Sequence, residues 1–381
     1  MMIMTHNGIV YARFLRILQV SNMEKVVTIV GKVTLKMIAD QAGVSIGTVD
    51  RALNNRGRIL PETRDNILKI ANTLGYRTNR LASALRKNLH FKIAVVMSQL
   101  PHYFTDELLC GFEAAKTELQ DYDLELDFFF SSSLAAVEQI PILQALKVEE
   151  YDAIAINGSD ALAEQVDAIV AQGVPVVTFN SDIPTSRRLF YVGESPYKNG
   201  RVAGELMGKM LGGRGTVSIF TGFSRVSSHS ARAAGFRDYL NEHYPTIEIL
   251  CAPEYHDREN EAYVIMQQLD QSGHRPDGIF CVSAVGAIGV GNYLKAHTQP
   301  DSLCLIGYDI SAQSAQLLQE HYCSALIYQE PRKQSFQLLH LLFDMLSNTA
   351  YPDRSEHYTK VGIIVSENLQ DYIDAPFHDP L

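Results

Sequence analysis

"VTLKMIADQAGVSIGTVDRAL", residues 33–53, decides how this chain is read. Thr34 is placed to cap a helix in which Leu35, Ile38, Ala39 and Ala42 recur on one face. Gly43 supplies the stop, because glycine enters the left-handed C-terminal conformation without steric cost. Ser45 then offers a second cap, and "IGTVDRAL" makes a short second helix with Val49 and Leu53 turned inward. Two short helices joined through a glycine turn form the helix-turn-helix pattern. A third helix follows in "PETRDNILKIANTLGY", residues 61–76. Pro61 suits its first turn, Ile67, Leu68, Ile70, Ala71 and Leu74 supply its apolar face, and Gly75 ends it. The second helix leaves Ile46, Gly47, Thr48, Asp50 and Arg51 facing outward. Its small residues permit close approach to a groove floor, and Arg51 can present a two-pronged donor to guanine.

The charge of the chain supports a polyanion partner for this unit. The 381 residues contain 33 Lys or Arg and 43 Asp or Glu, a net charge of -10. Residues 33–92 nevertheless hold eleven basic side chains against four acidic ones. Among the basic ones, Arg56, Arg58, Arg64, Arg77 and Arg80 are suited to phosphates. With residues 1–32 also slightly basic, residues 93–381 carry a net charge of -20. A basic module joined to an acidic body attracts nucleic acid at one end and repels it at the other.

Residues 1–32 read as an extension ahead of the folded part, with Met23 as an alternative start. Arg13 and Arg16 interrupt its apolar stretch and no small-residue cleavage site follows, so no signal peptide is expected. No apolar run is long enough to span a membrane. The five cysteines (Cys110, Cys251, Cys281, Cys304 and Cys323) form no CxxC pair and sit mostly in apolar runs. Buried reduced thiols in the cytoplasm are the expectation.

From Phe91 onward the pattern changes to alternating strands and helices. "FKIAVVMS", "LELDFFFS", "YDAIAIN" and "PVVTFN" read as strands with helical spacings between them. The pattern restarts near Gly193 with "GTVSIF", "IEILCAPEY", "DGIFCVS" and "SLCLIGYD" as strands. Two successive units of this kind predict two lobes, each a doubly wound parallel α/β sheet, with a ligand cleft beyond the carboxyl ends of the strands. At those ends stand His102, Tyr103, Phe104, Asn157, Asp160, Asn180, Ser181, Asp182, the run Phe223 to Ser230, Ser283, Tyr308, Asp309 and Gln329. Planar polar groups take hydroxyl pairs and rings stack on apolar sugar faces, so the mixture suits an uncharged sugar or polyol. Arg225 and Arg232 are the only cations there, too few for a phosphorylated metabolite to be favoured. A purine or phosphorylated effector is the second reading.

The run "VTLKMIADQAGVSIGTVDRALN", followed by "ETR", "LGY" and "NRLASAL", resembles the headpiece and hinge of the lactose/galactose repressor family. The resemblance covers residues 33–88 without a gap. It implies that Ile46, Gly47 and Arg51 read base edges, while Thr34, Ser45, Thr48 and Asn54 meet phosphates. Arg58 and Arg80 would also contact DNA. It further implies that Asn79 and Arg80 begin a hinge helix, residues 79–91, whose Leu85 wedges into the minor groove. Three departures stand out: Gly47 brings no side chain, Asp50 replaces a usual Ser, and Thr78 replaces a usual Pro. A looser resemblance over residues 92–370 is to the periplasmic-binding-protein-like effector domain of the same family. By that likeness Asn180, Arg232, Asp309 and Gln329 contact ligand, and Ser283 stands where Asn is frequent.

The expectation is therefore an α/β protein with an all-α helix-turn-helix headpiece (residues 33–78) and a two-lobed body (residues 92–381). Lobe one spans about 92–192 and 330–357, lobe two about 193–328 and 358–372. Catalytic residues, metal and cofactor are not expected. "GAIGVG", residues 286–291, has the wrong spacing for a dinucleotide site and reads as close helix packing, while "GGRG" at 212–215 reads as a helix stop. The family implies a homodimer on a pseudo-palindromic operator, released or recruited by a small molecule, with no membrane partner.

Overall fold

The computed structural model describes residues 35–53, 59–73, 90–99, 102–223 and 226–373. Residues 1–32, Thr34, Asn54, Arg56, Arg58, Arg77, Thr78, Asn79, Arg80, Leu85 and Arg225 lie outside this set, as do the side chains of Leu35, Asp50, Leu53 and His102. The chain divides into two compact units, residues 1–82 and 83–381.

In the first unit α1 (Leu35–Ala42), α2 (Ile46–Leu53) and α3 (Pro61–Thr73) pack around a small core. Ile38, Val49 and Ile67 are fully buried, with Ala39, Ala52 and Ala71 beside them. Gly43 adopts φ +66° at the turn between α1 and α2, as the helix stop requires.

The second unit carries two six-stranded sheets. Lobe one runs β1 (His90–Ser98), α4 (His102–Glu118), β2 (Asp123–Ser131), α5 (Ala136–Ala145), β3 (Ala153–Ile156), α6 (Ala163–Ala171), β4 (Val176–Phe179) and β5 (Tyr191–Gly193). Lobe two follows with α7 (Pro196–Met210), β6 (Gly215–Phe220), α8 (Ser227–His243), β7 (Ile247–Cys251), α9 (Glu259–Gln271), β8 (Gly278–Cys281), α10 (Ala284–His297), β9 (Cys304–Tyr308), α11 (Ala312–Gln319) and β10 (Ala325–Tyr328). The chain returns to lobe one in α12 (Pro331–Leu346) and β11 (Glu356–Tyr358), then crosses again to β12 (Gly362–Ile364) and α13 (Leu369–Ile373).

Lobe one has the order β2-β1-β3-β4-β5-β11, with every pairing parallel. Lobe two has the order β7-β6-β8-β9-β10-β12, parallel except for the β10–β12 pair. Central strands covered on both faces read as unbroken apolar runs, and Ile93 to Met97 of β1 are wholly buried. In lobe two Phe236 of α8 stacks on Phe280 of β8, ring centroids 4.6 Å apart. Along α10 a side chain at Gly289 would meet the carbonyl of Glu259 at 2.3 Å, so "GAIGVG" serves close helix packing.

Some elements escape the sequence reading. The three-residue strands β5 and β11 are too short to show a period, and the eight residues of α11 carry no pattern that sets them apart from their flanks. The thiols also need a correction: Cys281 and Cys323 are buried, but Cys251 and Cys304 are half-buried and Cys110 on α4 is exposed, because an apolar neighbourhood in sequence is not one in space. Among the described residues no helix is long and apolar enough to cross a membrane, and no cluster of metal ligands occurs.

Candidate functional site

Two surfaces are built from the residues singled out above. On the headpiece, Ser45 caps α2: its Oγ accepts the Thr48 N–H at 3.2 Å and lies 2.9 Å from the Thr48 hydroxyl. Ile46 is 48% exposed although it is large and apolar, and Gly47 beside it is exposed too. Arg51 is exposed and folded onto its own helix, donating from Nε to the Gly47 carbonyl at 3.0 Å and from Nη2 to the Thr48 hydroxyl at 3.3 Å. These contacts keep the guanidinium on the same face as Ile46 and Gly47, and they use Nε–H and one Nη2–H of its five donors.

In the body, the carboxyl ends of the two sheets enclose a cavity of about 70 Å³. Tyr103, Phe104, Asn180 and Ser181 line it from lobe one; Arg232, Ser283 and Asp309 line it from lobe two, with Gln329 where β10 leaves that lobe. His102 opens α4, and its side chain is outside the described set. Backbone geometry sets some of these side chains. Asn180 and Asp309 each follow a buried strand in the left-handed region, at φ 59° and 56°, which turns the chain sharply there.

A continuous polar chain crosses from one lobe to the other. Asn157 donates to Asn180 Oδ1 at 2.9 Å, and Asn180 donates to Gln329 Oε1 at 3.3 Å. Arg232 donates from Nη2 to the same Gln329 oxygen at 2.9 Å, and Gln329 donates to Asp309 Oδ2 at 2.6 Å. Arg232 also donates from Nη1 to the Val282 carbonyl at 2.8 Å, with its guanidinium carbon 4.0 Å from the centre of the Tyr308 ring. Its ion pair is with Glu194, reached through Nε at 2.5 Å and through Nη2. Burial opposes the Arg232 charge, but Glu194, Tyr308 and Asp309 outweigh it and hold the pKa above its ordinary value. Burial pushes the Asp309 carboxyl up to about 7, against the pull of Gln329 and Arg232.

Sequence reasoning missed several members of this site. Glu194 sits inside what reads as ordinary helix-start sequence and Asp257 lies in the loop before α9, while His229 falls in the strand-end run Phe223 to Ser230 without a role of its own there. His229 accepts the Phe223 N–H on Nδ1 at 3.0 Å, and burial lowers its pKa to about 4, so it is neutral with its proton on Nε2. Asp257 accepts the Ser283 hydroxyl at 2.5 Å, and that hydroxyl also meets Tyr255 at 2.6 Å. Ser283 is thus held by the protein rather than free for a ligand. By contrast the hydroxyls of Tyr103 and Ser181 are buried without a hydrogen-bond partner among the described residues. Such groups cost about 1–3 kcal/mol each unless something supplies the bond.

A helix-turn-helix unit joined to a two-lobed body with a polar cleft defines a class: DNA-binding regulators that respond to a small molecule. Residues 34–79 match the family described as bacterial regulatory proteins, lacI family, and residues 93–350 match the periplasmic binding protein domain. The chain belongs to the lacI family of bacterial transcription regulators. It is 25% identical over 341 residues to the sucrose operon repressor of Pediococcus pentosaceus, covering 87% of this chain and 98% of that one. It is 27% identical over 290 residues to the transcriptional regulator DegA of Bacillus subtilis (strain 168), covering 73% and 82%. The body has the fold of GanP, a glucose-galactose binding protein from Geobacillus stearothermophilus, with a TM-score of 0.69, 23% identity and coverage of 74% and 99%. The protein is a transcription regulator that binds operator DNA and a small-molecule effector.

Proposed function

We propose that the effector is an uncharged sugar or polyol, and that the protein controls carbohydrate-utilisation genes from the cytoplasm as a homodimer on a pseudo-palindromic operator. The observation that carries this reading is the polar chain Asn180–Gln329–Arg232, with the partnerless hydroxyls of Tyr103 and Ser181 beside it. Amides, carboxylates and hydroxyls arranged around a buried space pair with vicinal hydroxyls. Sugar-operon repressors among the relatives point the same way.

Coupling follows from where the chain sits. The lobes are joined by three crossings: after Gly193, at Gln329 and Glu330, and between Tyr358 and Gly362. Thr359 donates to the Gly193 carbonyl at 2.7 Å, so two crossings lie side by side. Arg232 is bonded to Glu194 on one crossing and Gln329 on another. A cavity of about 70 Å³ is well below the ~300 Å³ of an ordinary small-molecule site, so the lobes must part to admit a sugar. Ligand that rearranges the Gln329 contacts then biases the lobe angle, and with it the pairing of two headpieces on DNA.

Titration calorimetry of the purified protein with mono- and disaccharides and polyols tests this. One of them should bind and change operator affinity by fivefold or more, the lower end of ordinary allosteric coupling (~1 kcal/mol). Binding of a purine base, with no polyol bound, would replace the carbohydrate reading with the purine one.

A further inference from the structure

Glu194 follows β5 and begins the first crossing between lobes. Its side chain has no solvent exposure, and both its oxygens are occupied. Oε1 takes Nε and Nη2 of Arg232, while Oε2 takes the Asn199 amide from the first turn of α7. A guanidinium has five N–H groups. Nε–H, both Nη2–H groups and one Nη1–H of Arg232 already have acceptors in Glu194, Gln329 and Val282. Its two-pronged face, the feature that grips carboxylate and phosphate, is filled from inside the protein.

The remaining described ionisable groups on the cavity wall do not restore positive charge. Asp257 and Asp309 are acids, and His229 keeps Nδ1 as an acceptor. A ligand anion entering the cleft would have to displace a wholly buried carboxylate from its cation. That leaves a buried charge without a partner, which costs far more than surface contacts return.

We propose that Glu194 sets the charge preference of the cleft: as the internal counter-ion of Arg232, it bars phosphorylated and carboxylate-bearing ligands and reserves the site for uncharged polyols. The inference rests on the cleft being the effector site proposed above. Above about pH 7, where its carboxyl is ionised, Asp309 is the rival counter-ion, tied to the same guanidinium through Gln329. Removing Glu194 alone exposes part of the Arg232 charge; removing Asp309 as well exposes more above about pH 7.

The full-length protein, Glu194→Gln and Glu194→Gln/Asp309→Asn are compared by calorimetry with inorganic phosphate, and with the pairs glucose and glucose 6-phosphate, galactose and galacturonate. The unaltered protein should bind neither phosphate nor either acidic sugar. Folded Glu194→Gln should bind phosphate at least about tenfold more tightly than the unaltered protein, the worth of one charge-assisted bond, and the double variant more tightly again above pH ~7, where Asp309 is ionised. A folded Glu194→Gln that still ignores phosphate overturns the proposal. So does binding of an acidic sugar by the unaltered protein, an arm that requires no variant to fold. If the unaltered protein takes no neutral sugar either, yet Glu194→Gln gains phosphate, the counter-ion role stands and the polyol reading falls.

Discussion

The headpiece and the cleft solve opposite problems with the same residue type. Arg51 in the headpiece is exposed, bonded among the described residues to its own helix, and dispensable to the six-residue core beneath it. Arg232 in the cleft is buried, bonded to two crossings between lobes, and part of what holds them together. A residue that reads an external partner must be available; one that transmits a bound ligand must be built in. Function and stability should therefore separate in the headpiece and coincide in the cleft.

The largest effect that can break this contrast is expected at Arg232. Arg232→Gln should remove the ligand response and lower unfolding stability by about 3–5 kcal/mol, because buried Glu194 loses its partner. A variant that melts normally in chemical denaturation would show that the pair contributes little to the fold. Arg51→Ala should cost about 1–3 kcal/mol of base discrimination with no change in melting temperature. An unchanged preference in a binding-site selection would remove Arg51 from base reading.

A pH series sharpens the comparison. Asp309, raised to about 7, keeps its proton in the folded chain where an unfolded Asp, at about 3.9, has lost it. Its contribution to stability is complete below about pH 4 and disappears as pH rises through 7. His229, lowered to about 4, acts in the opposite sense: its contribution is present above pH ~6.5 and lost as pH falls through 4. Asp309→Asn should remove the first slope and leave the second, so melting curves of the two proteins should diverge between about pH 4 and 7; parallel curves would contradict a buried, protonated Asp309. The smallest effect belongs to the headpiece cap. Ser45→Ala should cost about 1 kcal/mol of headpiece stability, read by thermal unfolding of the N-terminal unit within the full chain.

The same contrast explains what the sequence discloses. The headpiece is local: a cap, a glycine stop and helical spacing within 40 residues, and Ile38, Val49 and Ile67 lie where that spacing puts them. Strand-end residues such as Asn180, Asp309 and Gln329 are legible for a similar reason, since a polar residue after an apolar run marks the mouth of a parallel sheet. Glu194 was not legible. Its meaning comes from Arg232, which is 38 residues away, and its strand is three residues long. Asp257 and His229 likewise acquire their roles only from Ser283 and Phe223, which other segments bring to them. Ser283 reads as a ligand contact in sequence, but its hydroxyl is consumed by Asp257 and Tyr255.

Selection of random duplex DNA by the purified full-length protein, repeated with each sugar and polyol, tests the coupling of headpiece to cleft most directly. Enrichment of a pseudo-palindrome with a flexible pyrimidine–purine step at its centre, gained or lost with one uncharged polyol, is the expected result. An enriched palindrome whose recovery no cleft ligand alters, although calorimetry shows one bound, would contradict it.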